Sequence, residues 1–196
     1  MLQGMRIIAG EFRSRRLKTL PGMSLRPTSD RLRETLFNVL GPAVRGAVFA
    51  DCYAGSGAVG LEALSRGASQ AIFIEQSRAA LGVLRENIAA LGVEKRTRII
   101  EGFAAKGLHR IGDPQIIFLD PPYAAADEYR KSLEALAGSG AGSEVVIIAE
   151  HASRDKLVPP EGLELQRLLR QGDSALSFFC TKTLANKGLR TIPSDS

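Results

Sequence analysis

Five short apolar runs recur along this chain: AVFAD (47–51), AIFIE (71–75), TRIIE (97–101), QIIFL (115–119) and EVVIIAE (144–150). A stretch of helical periodicity separates each from the next. Unbroken runs such as IIFL and VVII suit strands covered on both faces, the condition of a parallel sheet. Their alternation with helices predicts an α/β fold built on a mostly parallel, doubly wound sheet. Helices are expected up to about Arg66, over 77–91 with Gly92 as the stop, around 103–110 and near 127–137. The last part differs. Residues 163–170 and 174–182 read as two strands joined by Gly172-Asp173, an antiparallel hairpin at the end of the sheet.

The N-terminal part precedes this rhythm. RIIAG (6–10) and RLKTL (16–20) flank a basic turn, FRSRR, and predict a small β-hairpin. A Pro- and Gly-bearing loop over 21–28 leads to a helix over 30–40, capped by Ser29 or Thr28 and stopped by Gly41-Pro42. Leu32, Leu36, Phe37 and Leu40 share its apolar face. The expected organisation is a basic hairpin extension over 1–28, one α/β domain over 29–184 and a frayed tail over 185–196. Residues 1–50 hold nine basic side chains against three acidic ones, an excess larger than the net +5 of the whole chain. The positive charge is therefore an N-terminal feature, and it fits a polyanionic partner. Cys52 and Cys180 are far apart, and His109 and His151 are the only histidines, so a metal site is not expected. No apolar run of about 18 residues and no apolar leader occurs, which predicts no membrane partner and a cytoplasmic chain.

The first strand-to-helix turn carries the cofactor chemistry. It reads Asp51-Cys-Tyr-Ala-Gly55-Ser-Gly57-Ala-Val-Gly60. Gly55, Gly57 and Gly60 spell the G-x-G-x-x-G of dinucleotide sites, and Glu75 ends the next strand about 20 residues on, as that fingerprint also wants. A nicotinamide oxidoreductase therefore competes at this point. Asp51 opposes it. A carboxylate four residues before the first glycine sits near where a pyrophosphate would lie, and two anions at close range in a partly dry crevice repel each other. S-adenosylmethionine, with an ammonium-bearing tail and no phosphate, would be attracted. The pattern D-x-x-x-G-x-G resembles motif I of class I S-adenosylmethionine-dependent methyltransferases, a Rossmann-like fold. That resemblance implies that Ala54, Gly55, Ser56 and Gly57 let the backbone approach the cofactor. It also implies that Glu75 accepts the ribose hydroxyls and that Gln76 and Phe103 flank the nucleoside. Phe103 stands where many such enzymes place a polar residue against the adenine amine.

The fourth run ends in Asp120-Pro121-Pro122-Tyr123. This is the carboxyl end of a parallel strand, where such sheets bind ligands. Two prolines stiffen the backbone and leave its carbonyls free to accept. An exocyclic amine on a nucleobase is a poor nucleophile because its lone pair is delocalised into the ring, and two acceptors on its N–H bonds would aim that pair. The segment resembles the [DNS]-P-P-[YF] of amino-methyltransferases. There the Asp120 carboxylate and the Pro121 carbonyl would grip the amine, and Tyr123 would stack an extruded base. A cysteine nucleophile is not expected: Cys52 lies in the cofactor turn and the chain has no Pro-Cys dipeptide.

The N-terminal segments narrow the substrate. MRIIAGEFRSRRLKTL, followed by Arg26-Pro27-Thr28 and by Arg33, Glu34, Leu36, Phe37, Asn38 and Leu40, resembles the bacterial 16S ribosomal RNA guanine-N2-methyltransferase family. The likeness continues through Asp51–Gly57, Glu75, Asp120–Tyr123 and GDSALSFF (172–179). It implies methyl transfer to a guanine N2 in 16S rRNA, with S-adenosylhomocysteine as the second product, on a small-subunit assembly particle; a monomer is the default expectation. It places Arg26 and Thr28 at the cofactor and makes Arg6, Arg13, Arg15, Arg16, Lys18 and Arg31 RNA-contact residues. Three other readings compete with it. One is a methyltransferase acting on another amine such as adenine N6. Another is the oxidoreductase, which leaves Asp51 and Asp-Pro-Pro-Tyr unexplained. The last is an RNA-binding assembly protein with a decayed site, which has no need of Asp51, Glu75 and Asp120.

Overall fold

The structure is a computed structural model and describes residues 5–20, 29–122, 126–138 and 145–181. Within these, strands β1 (Val48–Cys52), β2 (Gln70–Glu75), β3 (Thr97–Glu101), β4 (Ile116–Leu119), β5 (Val146–Ala152), β6 (Leu163–Gln171) and β7 (Ser174–Thr181) form one sheet in the order β3-β2-β1-β4-β5-β7-β6. The first five are parallel to one another; β7 runs antiparallel to both β5 and β6. Helices α1 (Asp30–Leu40), α2 (Ala58–Ser65), α3 (Arg78–Leu91), α4 (Ala104–Gly107) and α5 (Ala126–Gly138), with short 3-10 turns at Gly41–Val44, Glu94–Arg96 and Leu108–Arg110, complete the described elements. The doubly wound sheet and its antiparallel end are therefore as the apolar runs predict.

Alternation along each strand builds two cores. Phe49, Phe73, Phe118, Ile148 and Phe178 face one side of the sheet, under α1, α2 and α3. Ala50, Ile72, Ile117, Ile147 and Phe179 face the other, with α4 and α5. Ser29 caps α1 by accepting the Leu32 N–H at 3.1 Å, and Ser77 caps α3 by accepting from Ala80 at 3.4 Å. Gly92 ends α3 in the left-handed region, where a side chain would be strained. Thr28, the alternative cap for α1, lies outside the described residues, as does the tail over 185–196. The strand order reverses between β1 and β4, and the crevice above their carboxyl ends is the ligand position of this architecture.

The N-terminal segment departs from expectation. RIIAG and RLKTL pair only briefly: around an antiparallel Arg6–Arg16 bridge, the Ile7 N–H donates to the Arg15 carbonyl and the Leu17 N–H to the Met5 carbonyl, each at 2.9 Å, and no regular strand extends beyond them among the described residues. The ladder stops because helix side chains take the next backbone donors. The Ile8 and Ala9 N–H groups donate to the Glu62 carboxylate at 2.7 and 3.0 Å, and Phe12 N–H donates to Ser65 Oγ at 2.9 Å. Lys18 N–H donates to Asn87 Oδ1 at 2.8 Å. Glu62 is fully buried and is balanced by the Arg66 guanidinium at 2.7 Å. Ile7 and Leu17 join the same core as α1. The hairpin is thus fastened to α2 and α3 rather than swinging free of them.

Gly10 marks the tightest point of that fastening. Its φ is +86°, and a Cβ there would lie 1.9 Å from the Ser65 carbonyl oxygen. Gly112, at φ +72°, has open space instead. Gly10→Ala should therefore cost roughly 2–5 kcal/mol, the sum of overpacking and left-handed strain, against roughly 1–2 kcal/mol for Gly112→Ala from strain alone. Urea unfolding of both variants checks this. Equal losses would mean that the hairpin lifts from Ser65 without penalty.

Candidate active site

The carboxyl ends of β1, β2 and β4 open into a cleft of about 390 Å3. Its floor is the turn between β1 and α2. Tyr53 in that turn has φ +82°, a conformation side chains rarely adopt, and Gly55 and Gly57 follow at +55° and +81°. A Cβ on Gly57 would meet Leu84 at 2.4 Å, and one on Gly60 would meet the Phe73 ring at 2.4 Å. Gly57 thus keeps the loop low over α3, and Gly60 keeps α2 tight on β2.

Two carboxylates hold this turn. Glu75 accepts the Gly55 N–H at 2.8 Å through one oxygen, and the Gln76 and Ser77 N–H groups at 2.9 and 2.7 Å through the other. Asp51, only 2% exposed, accepts the Gly60 N–H at 2.9 Å. That bond fills the anion seat at the start of α2, where a dinucleotide would place its pyrophosphate. Burial pushes the Asp51 carboxyl up to about 7; the Gly60 bond opposes the shift and the nearby Glu75 charge adds to it.

Asp51, Tyr53, Ala54, Gly55, Ser56, Glu75, Gln76 and Phe103 all line the cleft, together with Asp120, Pro121 and Pro122. Gly57 shapes the turn just below. Phe103, 60% exposed, presents an aromatic face at the start of α4. The structure thus brings together the described residues expected to bind cofactor and those expected to carry the chemistry. Arg26, Thr28 and Tyr123 lie outside the described residues. Among the described residues no lysine or arginine lines the cleft, whereas Asp51, Glu75, Asp120 and Glu128 do. This donor set suits a nucleoside carrying a cation and no phosphate, and S-adenosylmethionine fits that description.

The base of the Asp120-Pro121-Pro122 segment is braced from both sides. Asp120 N–H lies 3.5 Å from the Cys52 carbonyl. The Tyr129 hydroxyl donates to the Glu150 carbonyl at 2.5 Å and sits 3.5 Å from the Pro121 carbonyl. Tyr53 reaches across to α5, its hydroxyl 2.9 Å from Ser132 Oγ and 3.2 Å from Glu128. Cys52 and Cys180 are buried and not joined in a disulfide, and burial raises the Cys52 thiol well above its ordinary range, which suits packing rather than nucleophilic attack. Among the described residues no cluster of side chains suits a metal ion, and no helix is long and apolar enough to cross a membrane.

Arg6, Arg13, Arg15, Arg16, Lys18 and Arg31 are all exposed. Arg6 pairs with Asp30 at 3.5 Å and Lys18 with Glu86 at 2.6 Å; the other four enter no ion pair among the described residues. Sequence reasoning missed that the hairpin is itself a wall of the cleft, through Met5, Thr19 and Leu20. It also missed the fastening side chains. Asn87 could have been found: it is a polar residue on the buried stripe Ala80, Leu81, Leu84, Ile88 of α3.

The family described as "Conserved hypothetical protein 95" matches this chain over residues 5–180. The chain is 47% identical over 119 residues to the "Ribosomal RNA small subunit methyltransferase D" of Escherichia coli (strain K12), a match spanning 60% of this chain and 60% of that protein's length. The Haemophilus influenzae protein of the same name is 39% identical over 124 residues, 60% of this chain and 63% of the relative. The solved structure "Putative methyltransferase yhhF from Escherichia coli" superposes with a TM-score of 0.77 at 36% identity, covering 91% of this chain and 98% of that one. The chain therefore belongs to the family described as conserved hypothetical protein 95, and its fold is that of a class I methyltransferase.

Proposed function

We propose that the protein transfers a methyl group from S-adenosylmethionine to the exocyclic N2 amine of a guanine in 16S ribosomal RNA, acting as a monomer on a small-subunit assembly particle in the cytoplasm. The observation that carries this reading is the single cleft shared by Asp51, Glu75 and Asp120-Pro121-Pro122, walled on one side by a hairpin whose outer surface is basic. The likeness to proteins named ribosomal RNA small subunit methyltransferase D supports ribosomal RNA as the substrate.

When bound, S-adenosylmethionine supplies an electrophilic sulfonium methyl, so the protein's task is placement. Asp51 attracts the ammonium of the amino-acid tail, and Glu75, its oxygens already oriented by three backbone N–H groups, accepts the ribose hydroxyls. Phe103 offers its face to the adenine. The Asp120 carboxylate and the Pro121 carbonyl each accept one N–H of the guanine amine, which leaves the nitrogen lone pair pointing along the line of transfer. Asp120 then takes the proton that the methylated amine releases. Tyr123 stacks the extruded base, and Arg26 and Thr28 border the donor. Arg13, Arg15, Arg16 and Arg31 hold phosphates, with Arg6 and Lys18 joining them by exchanging Asp30 and Glu86 for RNA.

The direct test incubates labelled S-adenosylmethionine with small subunits from cells lacking the gene and analyses the RNA nucleosides. Label is expected in N2-methylguanosine. Label in N6-methyladenosine would replace the proposed substrate atom, and no label at all would overturn the reading. Asp120→Ala should lower transfer by about 100-fold or more, since acid–base and orienting contributions of that size rest on it, while S-adenosylhomocysteine still binds. Full activity in that variant would remove Asp120 from the chemistry.

Protons compete with the donor's ammonium at Asp51. Its carboxyl titrates near 7 when the site is free, and the ammonium favours the ionised form. Affinity for S-adenosylhomocysteine should therefore rise as pH increases from 6 to 8 and then level off. The free protein behaves oppositely. A raised folded-state pKa means that the folded chain binds more protons than the unfolded one between about 4 and 7, so this group's contribution to stability falls across that window and is flat above it. Asp51→Asn should abolish both slopes in calorimetry and in unfolding. A pH-independent affinity in the wild type would dissociate Asp51 from the ammonium.

Neutralising Arg13, Arg15 and Arg16 together should weaken RNA binding and reduce the slope of log affinity against log salt by about 2–3, close to one unit for each phosphate left without its arginine. Filter binding across a salt series reads this, and an unchanged slope would move the RNA surface elsewhere.

A further inference from the structure

Asn87 is buried in the middle of α3, with 2% of its surface exposed, and three of the four hydrogen-bonding positions of its side-chain amide are engaged. Its Oδ1 accepts the Lys18 N–H at 2.8 Å. Its Nδ2 donates to the Lys18 carbonyl at 3.0 Å and to the Ser56 carbonyl at 2.9 Å. The orientation of the amide follows from these partners, because a flip would set its NH2 against the Lys18 N–H and its oxygen against two carbonyls. The side chain thus pairs with Lys18 as a neighbouring strand would, next to the backbone bond from Leu17 N–H to the Met5 carbonyl that joins this limb to the first. With its remaining donor it holds the cofactor turn.

Both limbs of the hairpin converge on that one residue of the turn. From the first limb, Met5 Sδ accepts the Ser56 hydroxyl at 3.4 Å; from the second, Lys18 reaches the Ser56 carbonyl through Asn87. Ser56 directly follows Gly55, whose N–H is held by Glu75. Meanwhile the Lys18 ammonium is directed outward, 71% exposed, to Glu86. A short hydrogen-bonded chain therefore runs from a residue on the RNA face of the hairpin to the carboxylate at the ribose position. Neither Glu62 nor Ser65 does this, because their hairpin bonds are to the first limb and the basic turn.

We propose that Asn87 is a positioning residue that registers the RNA-holding limb of the hairpin against the Ser56 carbonyl of the cofactor turn, and so sets the approach of the target amine to the donor methyl. It touches neither substrate; it acts through Lys18 and Ser56. The inference rests on the methyltransferase reading above. It separates binding from catalysis in a way that a packing role would not. RNA is held by exposed cations and the donor by Asp51 and Glu75, and all of these remain when the Asn87 amide is removed. What disappears is the register between them, and misplacement of reacting groups by about 1 Å is worth as much as 100-fold in rate.

The test compares the wild type with Asn87→Ala and with the near-isosteric Asn87→Asp, which keeps an acceptor for Lys18 N–H but turns both donors into acceptors. Steady-state methylation of unmodified small subunits gives kcat and KM, calorimetry with S-adenosylhomocysteine gives donor affinity, and thermal unfolding confirms that each variant is folded at the assay temperature. Both variants are expected to lose at least tenfold in kcat, with KM for subunits and Kd for S-adenosylhomocysteine changed less than about threefold. Normal kcat in Asn87→Asp, or a loss carried wholly by KM or Kd, overturns the proposal. Should Asn87→Ala unfold, Asn87→Asp decides alone, and its unfolding under the same conditions would assign Asn87 to the fold and overturn the positioning role. A wild-type protein that methylates no subunit RNA yet binds S-adenosylhomocysteine would instead remove the reading on which the proposal rests.

Discussion

Three backbone N–H groups from two separate loops meet on the Glu75 carboxylate, and the geometry of the cleft depends on that meeting. Glu75 ends β2, so the sheet fixes its position. Gly55 is drawn to it from the β1–α2 turn, and Gln76 and Ser77 from the start of α3. A charged acceptor with three donors strengthens each bond over its neutral equivalent. It also leaves the backbone little choice: the turn must come down onto β2, which requires positive φ at Tyr53, Gly55 and Gly57. Asp51 finishes the construction from the other side by accepting the Gly60 N–H at the start of α2. The same two carboxylates that shape the floor then give it a negative lining, so the physics that folds the turn also selects a cationic ligand over a phosphate-bearing one.

How much of the fold and the site is legible in the sequence follows from the range of the interactions. Apolar runs and caps are local, and the strands, Ser29, Gly41 and Gly92 are where the periodicity and cap chemistry put them. Asp51, Glu75 and Asp120 are legible because parallel strands align their carboxyl ends, so a residue at a strand end is a residue at the crevice. The hairpin is less legible. Alternation in RIIAG and RLKTL predicts a ladder, but the ladder gives way to bonds with Glu62, Ser65 and Asn87, each more than 50 residues away in sequence. Glu62, in the middle of the apolar stretch LEALS, looks like a helix surface charge until the partners Ile8, Ala9 and Arg66 are seen around it.

Arg33 shows the same limit from the energetic side. Its guanidinium is fully buried. One nitrogen donates to the Arg6 carbonyl at 2.8 Å and to Asp30 at 2.7 Å, while Nε and Nη1 find no partner among the described residues. Burial lowers its pKa, against the opposing charges of Asp30 and Glu62. A cation desolvated this far, with two of its three nitrogens unmet, is a poor source of net stability. Its effect is on conformation. Arg33 holds the Arg6 carbonyl and Glu62 the Ile8 and Ala9 N–H groups, so the two grip the first limb between α1 and α2. Surface pairs such as Lys18–Glu86 contribute little by comparison and are readily exchanged.

A hairpin held in this way constrains how a substrate could enter. Its first limb is fixed to α2 through Glu62 and Ser65, its second to α3 through Asn87, and its apolar residues Ile7 and Leu17 are in the core. Moving it would break several buried hydrogen bonds, each leaving an unmatched polar group that costs about 1–3 kcal/mol. Under the proposed function the rearrangement therefore falls to the RNA. Phosphates would dock on a preformed basic surface, and the target base would leave its stack to reach Asp120 and the Pro121 carbonyl. Unstacking one base costs only a few kcal/mol, a smaller penalty than dismantling the hairpin. Under that reading the protein is the rigid partner, and the fixed distance from hairpin to cleft would act as a ruler for the nucleotide that reaches Asp120.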